Sequence, residues 1–553
     1  MTTYCNIASS LKETARAFPY KRAVVYPASR DNSSRVLYSQ LTFRQLDQLS
    51  DRLAHGLEGI GIVRGTRTIL MVPPGMEFFM IVFAMFKVGA VPVVVDPGMG
   101  IDRMVQCLQQ GRPKAFIGIE KAHVLRRLKP GYFKEITHWV TVGRRWFWGG
   151  HTLKQLISNN RQAFAQARTT KDETAAIVFT TGSTGPAKGV VYTHGNFAAQ
   201  IQQIQEHFHI GSDEIDLPTF PLFALFDPAL GMTAVIPDMD PTRPAKADPE
   251  KIIEAIENHG VTNMFASPAL LHRVGKYGKE NGITLPSLRR VISAGAPVSP
   301  ANIAQFSALL PDTTEIHTPY GATEAVPVIS IGSHEILSET RQLTEKGFGM
   351  CIGRPINTTR VRIIKITDDP ILLMEDALQL PEKQVGEITV KGELVTKSYF
   401  DNPEADLPAK IPDSDGGVWH RMGDLGWRDS KGRIWFCGRK SHRVITEKET
   451  LFTIPVEAIF NTHEKVYRSA LTGVGPLNRQ IPVIFVEPCC KIADKDRFVA
   501  ELLELARSTP LTADIAHIFI EKAFPVDIRH NAKIFREKLA VTAGKKHING
   551  LEN

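Results

Sequence analysis

Between two apolar runs, Ala175-Ala-Ile-Val-Phe179 and Val190-Val-Tyr192, the chain carries Thr180-Thr-Gly-Ser-Thr-Gly-Pro-Ala-Lys-Gly189. Gly182, Gly185 and Gly189 have no Cβ to hold an anion away from the backbone N–H groups, and Thr180, Thr181, Ser183 and Thr184 add hydroxyl donors. Lys188 supplies the counter-charge. Glycines, hydroxyls and one lysine between two strands make a phosphate cradle. It is not a Walker loop: Gly182 and Lys188 are six residues apart, a glycine follows the lysine, and a strand comes next where that motif has a helix. A flexible surface hairpin is the alternative, and a whole decapeptide this restricted argues against it.

Other segments carry groups that a nucleotide needs. A cation riding on phosphates takes carboxylate oxygen, and an adenine ring takes an aromatic face. Taken singly, Tyr320-Gly-Ala-Thr-Glu324 reads as a turn, Asp424 as a Gly-flanked turn residue and Lys533 as a solvated lysine. Together and in this order, the decapeptide, Ser293-Ala-Gly-Ala-Pro-Val298, Tyr320–Glu324, His420-Arg-Met-Gly-Asp424, Gly438-Arg439 and Pro525-Val-Asp-Ile-Arg-His-Asn-Ala-Lys533-Ile-Phe-Arg536 resemble the adenylate-forming superfamily of acyl-CoA synthetases, luciferases and peptide-synthetase adenylation domains.

That resemblance implies ATP binding by Thr180, Thr181, Gly182, Ser183, Thr184, Gly185 and Lys188, by Gly295, Ala296 and Pro297 on the adenine side, and by Tyr320, Gly321, Asp424 and Arg439. Tyr320 would stack on adenine, and Asp424, backed by Arg439, would accept the ribose hydroxyls. Lys533, Thr323 and Glu324 are the implied catalytic residues, with Thr323 on the α-phosphate and Glu324 also holding Mg²⁺. The implied fold is α/β: a large, multi-subdomain N-terminal adenylation domain over residues 1–440 and a small, mobile α+β C-terminal domain over 441–553 carrying Lys533. Ser441 stands at the hinge, where Asp or Lys is common, and Ala532 replaces the usual glycine before the lysine.

The chain departs from the superfamily at Phe220-Pro-Leu-Phe-Ala224-Leu-Phe-Asp-Pro-Ala-Leu-Gly231, where Ala224 stands at a common histidine. Phe223, Leu225 and Phe226, with Leu230, form an apolar wall that is either an acyl pocket or core. A long aliphatic acid is favoured over an amino acid. This phrase, with TPYGATEAVPV and the segment around Lys533, most resembles the olefin-biosynthesis β-lactone synthetases, often labelled fatty-acyl ligases. The expected reaction is activation of a fatty or β-hydroxy fatty acid to an acyl-adenylate with release of pyrophosphate, then intramolecular β-lactone formation releasing AMP. The alternative is a fatty-acyl-CoA ligase. Against coenzyme A as acceptor, residues 443–452 lack the glycine that, by the resemblance, CoA-forming members usually offer there to let pantetheine pass close to the backbone, and have Lys448, Glu449 and Thr450 instead. Readings of other classes are a stand-alone nonribosomal adenylation module, though only some 20 residues follow Lys533, and a nucleotide-binding regulator without turnover, against which Lys533, Glu324, Asp424 and Arg439 argue.

These residues need a frame. Leucines 46, 49, 53 and 57 recur at helical spacing and are followed by Gly59 and Gly61. Strands at 68–72 and 91–95 flank a helix at 77–88, and the same alternation returns with strands at 175–180, 261–265 and 290–293 and helices at 196–208 and 249–258. No fixed-period repeat is visible. From about 385 short β segments take over, and after 455 helix and strand alternate again. At 553 residues, 43% hydrophobic and 22% charged, the chain is in the ordinary range for a multi-lobed enzyme.

The six cysteines show no metal-ligand spacing and the N-terminus lacks a signal-peptide core, so a reduced, cytoplasmic setting is expected. The apolar stretch 78–95 is broken by Lys87, Gly89 and Pro92 and reads as a buried helix and strand. A net charge of +8 suits ATP, phosphorylated carriers or an acidic membrane; no nucleic acid partner is expected. Arg144-Arg-Trp-Phe-Trp-Gly-Gly150 is either a docking site for a membrane or pathway enzyme, making the protein peripheral, or a local aromatic core.

Overall fold

The computed structural model describes residues 4–157, 159–180, 187–220, 224–526 and 534–545. Two seven-stranded sheets dominate its first half. In one, the order is Glu315–His317, Arg290–Ser293, Asn263–Ala266, Ile215–Pro218, Thr233–Val235, Arg22–Arg30 and Val36–Thr42. In the other, it is His151–Thr152, His138–Val142, Ala115–Ile119, Arg67–Met71, Val91–Val95, Thr174–Phe179 and Gly189–Thr193. Each has six parallel strands closed by one antiparallel edge strand. Each winds its five non-hairpin strands in the same order, fifth-fourth-third-first-second. The architecture is thus repeated although the sequence has no fixed period.

The helices follow from their caps and stripes. Phe43–Gly59 starts at a capping box of Thr42 and Gln45 and buries Leu46, Leu53 and Leu57, while Gly61 follows at φ +91°. Met76–Val88 is apolar all round and buried from Phe78 onward, as a helix between two layers must be. Its Lys87 is fully buried, and the Nζ lies 2.6 Å from both Asp47 and Asp51, placed one turn apart on the capped helix. The break in the apolar stretch is therefore a buried ion pair that locks two helices. Thr193 and Asn196 box the start of His194–His207, and Ser267 and Ser299 cap Pro268–Glu280 and Pro300–Ser307, each with proline at the first helical position.

A third, antiparallel sheet joins Tyr320–Ala322, Ala325–Ser330, Met350–Pro355, Ile434–Arg439, Val418–Arg428, Gly386–Lys391 and Arg360–Ile364, with Lys410–Pro412 paired to Val418–Arg428. After Lys440–His442 come a two-stranded ribbon, Val444–Ile445 with Thr450–Leu451, and a three-stranded sheet of Val466–Val474, Ile481–Pro488 and His517–Ile520. Helices Thr453–Phe460 and Lys495–Arg507 share a core with these strands that includes Val456, Phe460, Ile484, Val486, Phe498 and Leu502. The whole is an α/β fold with a large N-terminal part and a smaller C-terminal α+β unit. No described helix is long and apolar enough to cross a membrane.

Candidate active site

The site residues gather where the strands of the two large sheets end and the third sheet begins. Ala294–Val298 follows the C-terminal end of Arg290–Ser293, and residues 318–324 follow Glu315–His317, so both segments leave the carboxyl edge of one parallel sheet. The glycine-rich loop is the tip of a hairpin: Phe179 pairs with Gly189, and the Thr180 N–H donates to the Lys188 carbonyl at 3.0 Å. Thr180 and Lys188 thus form its neck; Thr181, Gly182, Ser183, Thr184 and Gly185 lie outside the described residues.

At that neck the Lys188 ammonium stands 4.8 Å from the centre of the Tyr399 ring. Tyr399 in turn donates its hydroxyl to Glu324 Oε1 at 2.7 Å. A second cation, Lys410, lies 5.6 Å from the same ring and donates to the Thr396 carbonyl and hydroxyl at 2.5 and 3.2 Å. Thr396 closes the ring of contacts by donating its N–H and hydroxyl to the Glu324 carbonyl at 2.9 and 3.0 Å. On the other side, the Tyr192 hydroxyl donates to the Thr323 carbonyl. Thr323 and Glu324 are therefore held by two segments that are remote in sequence, the strand of Tyr192 and the stretch from Thr396 to Tyr399. Burial pushes Lys410 down to about 8, resisted by the carboxylates of Glu324 and Asp406 and assisted by Lys188. Burial, and the charges of Lys410, Lys188 and Arg439, keep His420 well below its ordinary value and hence neutral.

Asp424 and Arg439 are direct cross-strand partners, which puts Arg439 Nε 3.2 Å from Asp424 Oδ1. The Tyr320 hydroxyl donates to Asp424 Oδ2 at 2.5 Å. Asp424 is 4% exposed, and its charge is the main influence that raises the pKa of Arg439. Gly321 allows a close approach, since a Cβ there would fall 2.6 Å from the Ala325 carbonyl oxygen, and Gly295 takes φ +96°.

Two cavities meet here. A cleft of about 2510 Å³ is lined by Gly295, Ala296, Pro297, Tyr320, Asp424 and Ser441. A second, of about 1210 Å³ and mostly apolar, is lined by Thr180, Lys188, Thr323 and Glu324 at one end and by Leu225, Phe226, Phe197 and Ile201 beyond them. Gly295, Gly321 and Arg439 belong to both. The apolar wall of the sequence divides: Leu225 and Phe226 face the second cavity, while Leu230 packs into core with Phe208, Met232 and Phe265. Phe223 and Lys533 lie outside the described residues.

The donor set fits a nucleotide. One ammonium group, Lys188, and one carboxylate line one end, with the buried Lys410 behind Tyr399 and Thr396; a buried carboxylate with an arginine stands at the other, and the buried Ser293 hydroxyl has no hydrogen-bond partner among the described residues. One carboxylate is what a Mg²⁺ carried by phosphates asks of the protein. Sequence reasoning passed over Tyr399, Lys410, Thr396 and Tyr192. The one available signal was a lysine inside the apolar Ala409-Lys-Ile411.

Against known proteins, residues 11–400 match the family model described as AMP-binding enzyme. An olefin beta-lactone synthetase of Stenotrophomonas maltophilia is 48% identical over 98% of this chain and 99% of its own length. One from Xanthomonas campestris pv. campestris is 47% identical over 99% of each. Among solved structures, the amide bond synthetase McbA from Marinactinospora thermotolerans superposes with a TM-score of 0.79 over 97% of this chain and 99% of that one, at 19% identity.

Proposed function

Because this chain belongs to the AMP-binding enzyme family and is an adenylate-forming enzyme, we propose that it activates a fatty or β-hydroxy fatty acid with ATP and then closes a β-lactone, releasing AMP. The observation that carries this reading is the join of two unlike ends in one cavity: Lys188, Thr323 and Glu324 at its polar end, and Leu225 and Phe226 along its apolar length. Near-full-length likeness to two olefin beta-lactone synthetases supports the second step.

In the first step the acid's carboxylate attacks the α-phosphorus while pyrophosphate leaves. Charge builds on phosphate oxygens, so positioning and charge compensation lower the barrier. Lys188 and the loop it closes bind the β- and γ-phosphates, Thr323 contacts the α-phosphate, and Lys533 approaches carboxylate and α-phosphate from the C-terminal unit. Glu324, fixed by Tyr399 and Thr396, would hold a Mg²⁺, whose charge would neutralise the phosphates. Asp424 accepts the ribose hydroxyls with Arg439 behind it, and Gly295, Ala296, Pro297, Tyr320 and Gly321 take the adenine. Residues 1–440 and 441–553 act as two domains hinged at Ser441, so that the smaller one can withdraw Lys533 after adenylation.

In the second step the β-hydroxyl oxygen attacks the acyl carbon. A C–O bond forms, the bond to AMP breaks, and the hydroxyl proton passes to solvent. Intramolecular attack gains from an effective molarity that reaches roughly 10⁵ M when oriented. Coenzyme A is disfavoured because Thr446, Lys448 and Glu449 fill the turn after the hinge, with Lys448 paired to Asp514 at 2.8 Å. A cytoplasmic protein held peripherally at a membrane or on a pathway enzyme suits such an acid. Incubation with ATP, Mg²⁺ and a β-hydroxy fatty acid, with and without CoA, tests the reading by mass spectrometry. A β-lactone and AMP without CoA are expected; acyl-CoA as the main product, with no lactone when CoA is withheld, would make it a fatty-acyl-CoA ligase.

A further inference from the structure

The far end of the apolar cavity does not close in the core. Its lining continues past Phe78 and Val82 to Ile119, at the end of the strand Ala115–Ile119, and to Lys121, Ala122 and Leu125 on the first two turns of the helix Glu120–Leu128. The same side of that helix reaches solvent: Lys121, Val124 and Leu128, the last 73% exposed, with Arg127 beside them, point outward, while Ala122 and His123 are buried. Beside it stands the loop after His138–Val142, with Trp146 and Phe147 exposed by 53% and 76%. The two are joined by Arg127, whose guanidinium lies 5.9 Å from the centre of the Phe147 ring.

This loop divides its aromatics. Trp148 is buried, stacked on His123 at 5.4 Å and 8°, with its indole N–H donating to the Thr141 hydroxyl at 3.0 Å. It anchors the loop, and Trp146 and Phe147 are left outside. Around them Lys121, Arg127, Arg144 and Arg145 are exposed and form no ion pair among the described residues. Glu120 is engaged in accepting the Arg144 backbone N–H at 2.7 Å. Large apolar side chains ringed by uncompensated cations match a layer that is apolar inside and anionic at its surface.

We propose that the face formed by Glu120–Leu128 and Trp146–Phe147 docks on an anionic lipid surface, so that a membrane-held acid enters the apolar cavity between Lys121 and Leu125. Charge complementarity and continuity with the cavity favour lipid over a protein partner. The inference rests on the fatty-acid reading above, but its first test needs no turnover. The full chain is sedimented with vesicles of mixed phosphatidylcholine and phosphatidylglycerol and with pure phosphatidylcholine, beside Trp146→Ser/Phe147→Ser and Arg144→Glu/Arg145→Glu. Binding to the anionic vesicles alone is expected, reduced about tenfold or more in both variants. Pyrophosphate release with a short, water-soluble acid stays at the wild-type rate in both, whereas release with palmitic acid dissolved in the vesicles falls in step with binding. Absence of wild-type binding, equal binding by the variants, or a parallel loss on the soluble acid would overturn the proposal, as would variants that lose only a co-purifying protein. If neither acid supports pyrophosphate release in the wild type, the substrate reading fails while sedimentation still decides the surface.

Discussion

The two seven-stranded sheets share strand order, strand direction and an antiparallel hairpin at one edge, yet the two hairpin tips differ in residue type and in what they face. The first tip, between Arg22–Arg30 and Val36–Thr42, uses its acid on itself. The Asp31 carboxylate accepts the N–H groups of Ser33 and Arg35 at 2.9 and 3.0 Å and the Arg35 guanidinium at 3.0 Å. Its donors are spent within the turn. The second tip has no acidic residue and one lysine, and that lysine faces Tyr399, in the segment that follows Gly386–Lys391 and bridges to Val190. The same frame thus carries at one tip a turn closed by its own carboxylate, and at the other a neck whose lysine turns to a tyrosine outside the sheet.

The comparison breaks most sharply if the reaction can dispense with groups from outside the two sheets. Lys533→Ala is expected to slow single-turnover pyrophosphate release by about 10³-fold or more with ATP affinity nearly unchanged, its charge serving the transition state. A rate within threefold of wild type would remove Lys533 from the reaction. Between the tips themselves, Lys188→Ala should lower kcat/KM for ATP by about 10²-fold, whereas Arg35→Ala should leave it unaltered; equal effects in the same assay would end the distinction. Asp424→Ala should weaken ATP binding by about tenfold or more, because ribose contacts exist in the ground state, and calorimetric titration reads this directly.

Lys410 sharpens the comparison by pH. With its free-enzyme pKa near 8, kcat/KM for ATP should fall as pH rises through that value, and Lys410→Arg should move the fall upward. Stability runs the other way: between 8 and the ordinary lysine value the unfolded chain holds a proton that the native site has released, so the fold gains as pH rises. The smallest effect is expected in the first sheet. Asp216 and Asp227 are fully buried there and held up by desolvation, with Asn263 donating to Asp216. The native state keeps a proton that the unfolded chain loses above about pH 4, so stability falls as pH rises. Asp227→Asn should flatten that slope and raise Tm by about 1–3 °C at pH 8 with little change at pH 5.

The elements around the site were legible because their signals are local. A capping box at Thr42 and Gln45, proline after a capping serine, and glycines and hydroxyls between two β-branched runs each settle a backbone conformation within a few residues. What holds Glu324 was not legible. Its partner Tyr399 is 75 residues away, and Lys410 reaches it only through Thr396, so only the assembled fold brings them together. The loop 143–150 shows the same limit. Trp146 and Trp148 are alike in type and neighbours in sequence, but a loop has no period, so nothing local says that one is core and the other surface.

Gly438, one residue before Arg439 and paired across the strands with Leu425, lies at φ +121°, and a Cβ there would stand 2.1 Å from the hydroxyl oxygen of Thr453 in the C-terminal unit. The orientation seen here is open only to a residue with no side chain: any other would be opposed both by its own backbone and by Thr453. If the smaller domain alternates between two orientations, one absent methyl group weights that balance, and every 1.4 kcal/mol it contributes is about a tenfold change in the time spent in each. A single hydrogen at position 438 is then a setting for how the enzyme divides its cycle.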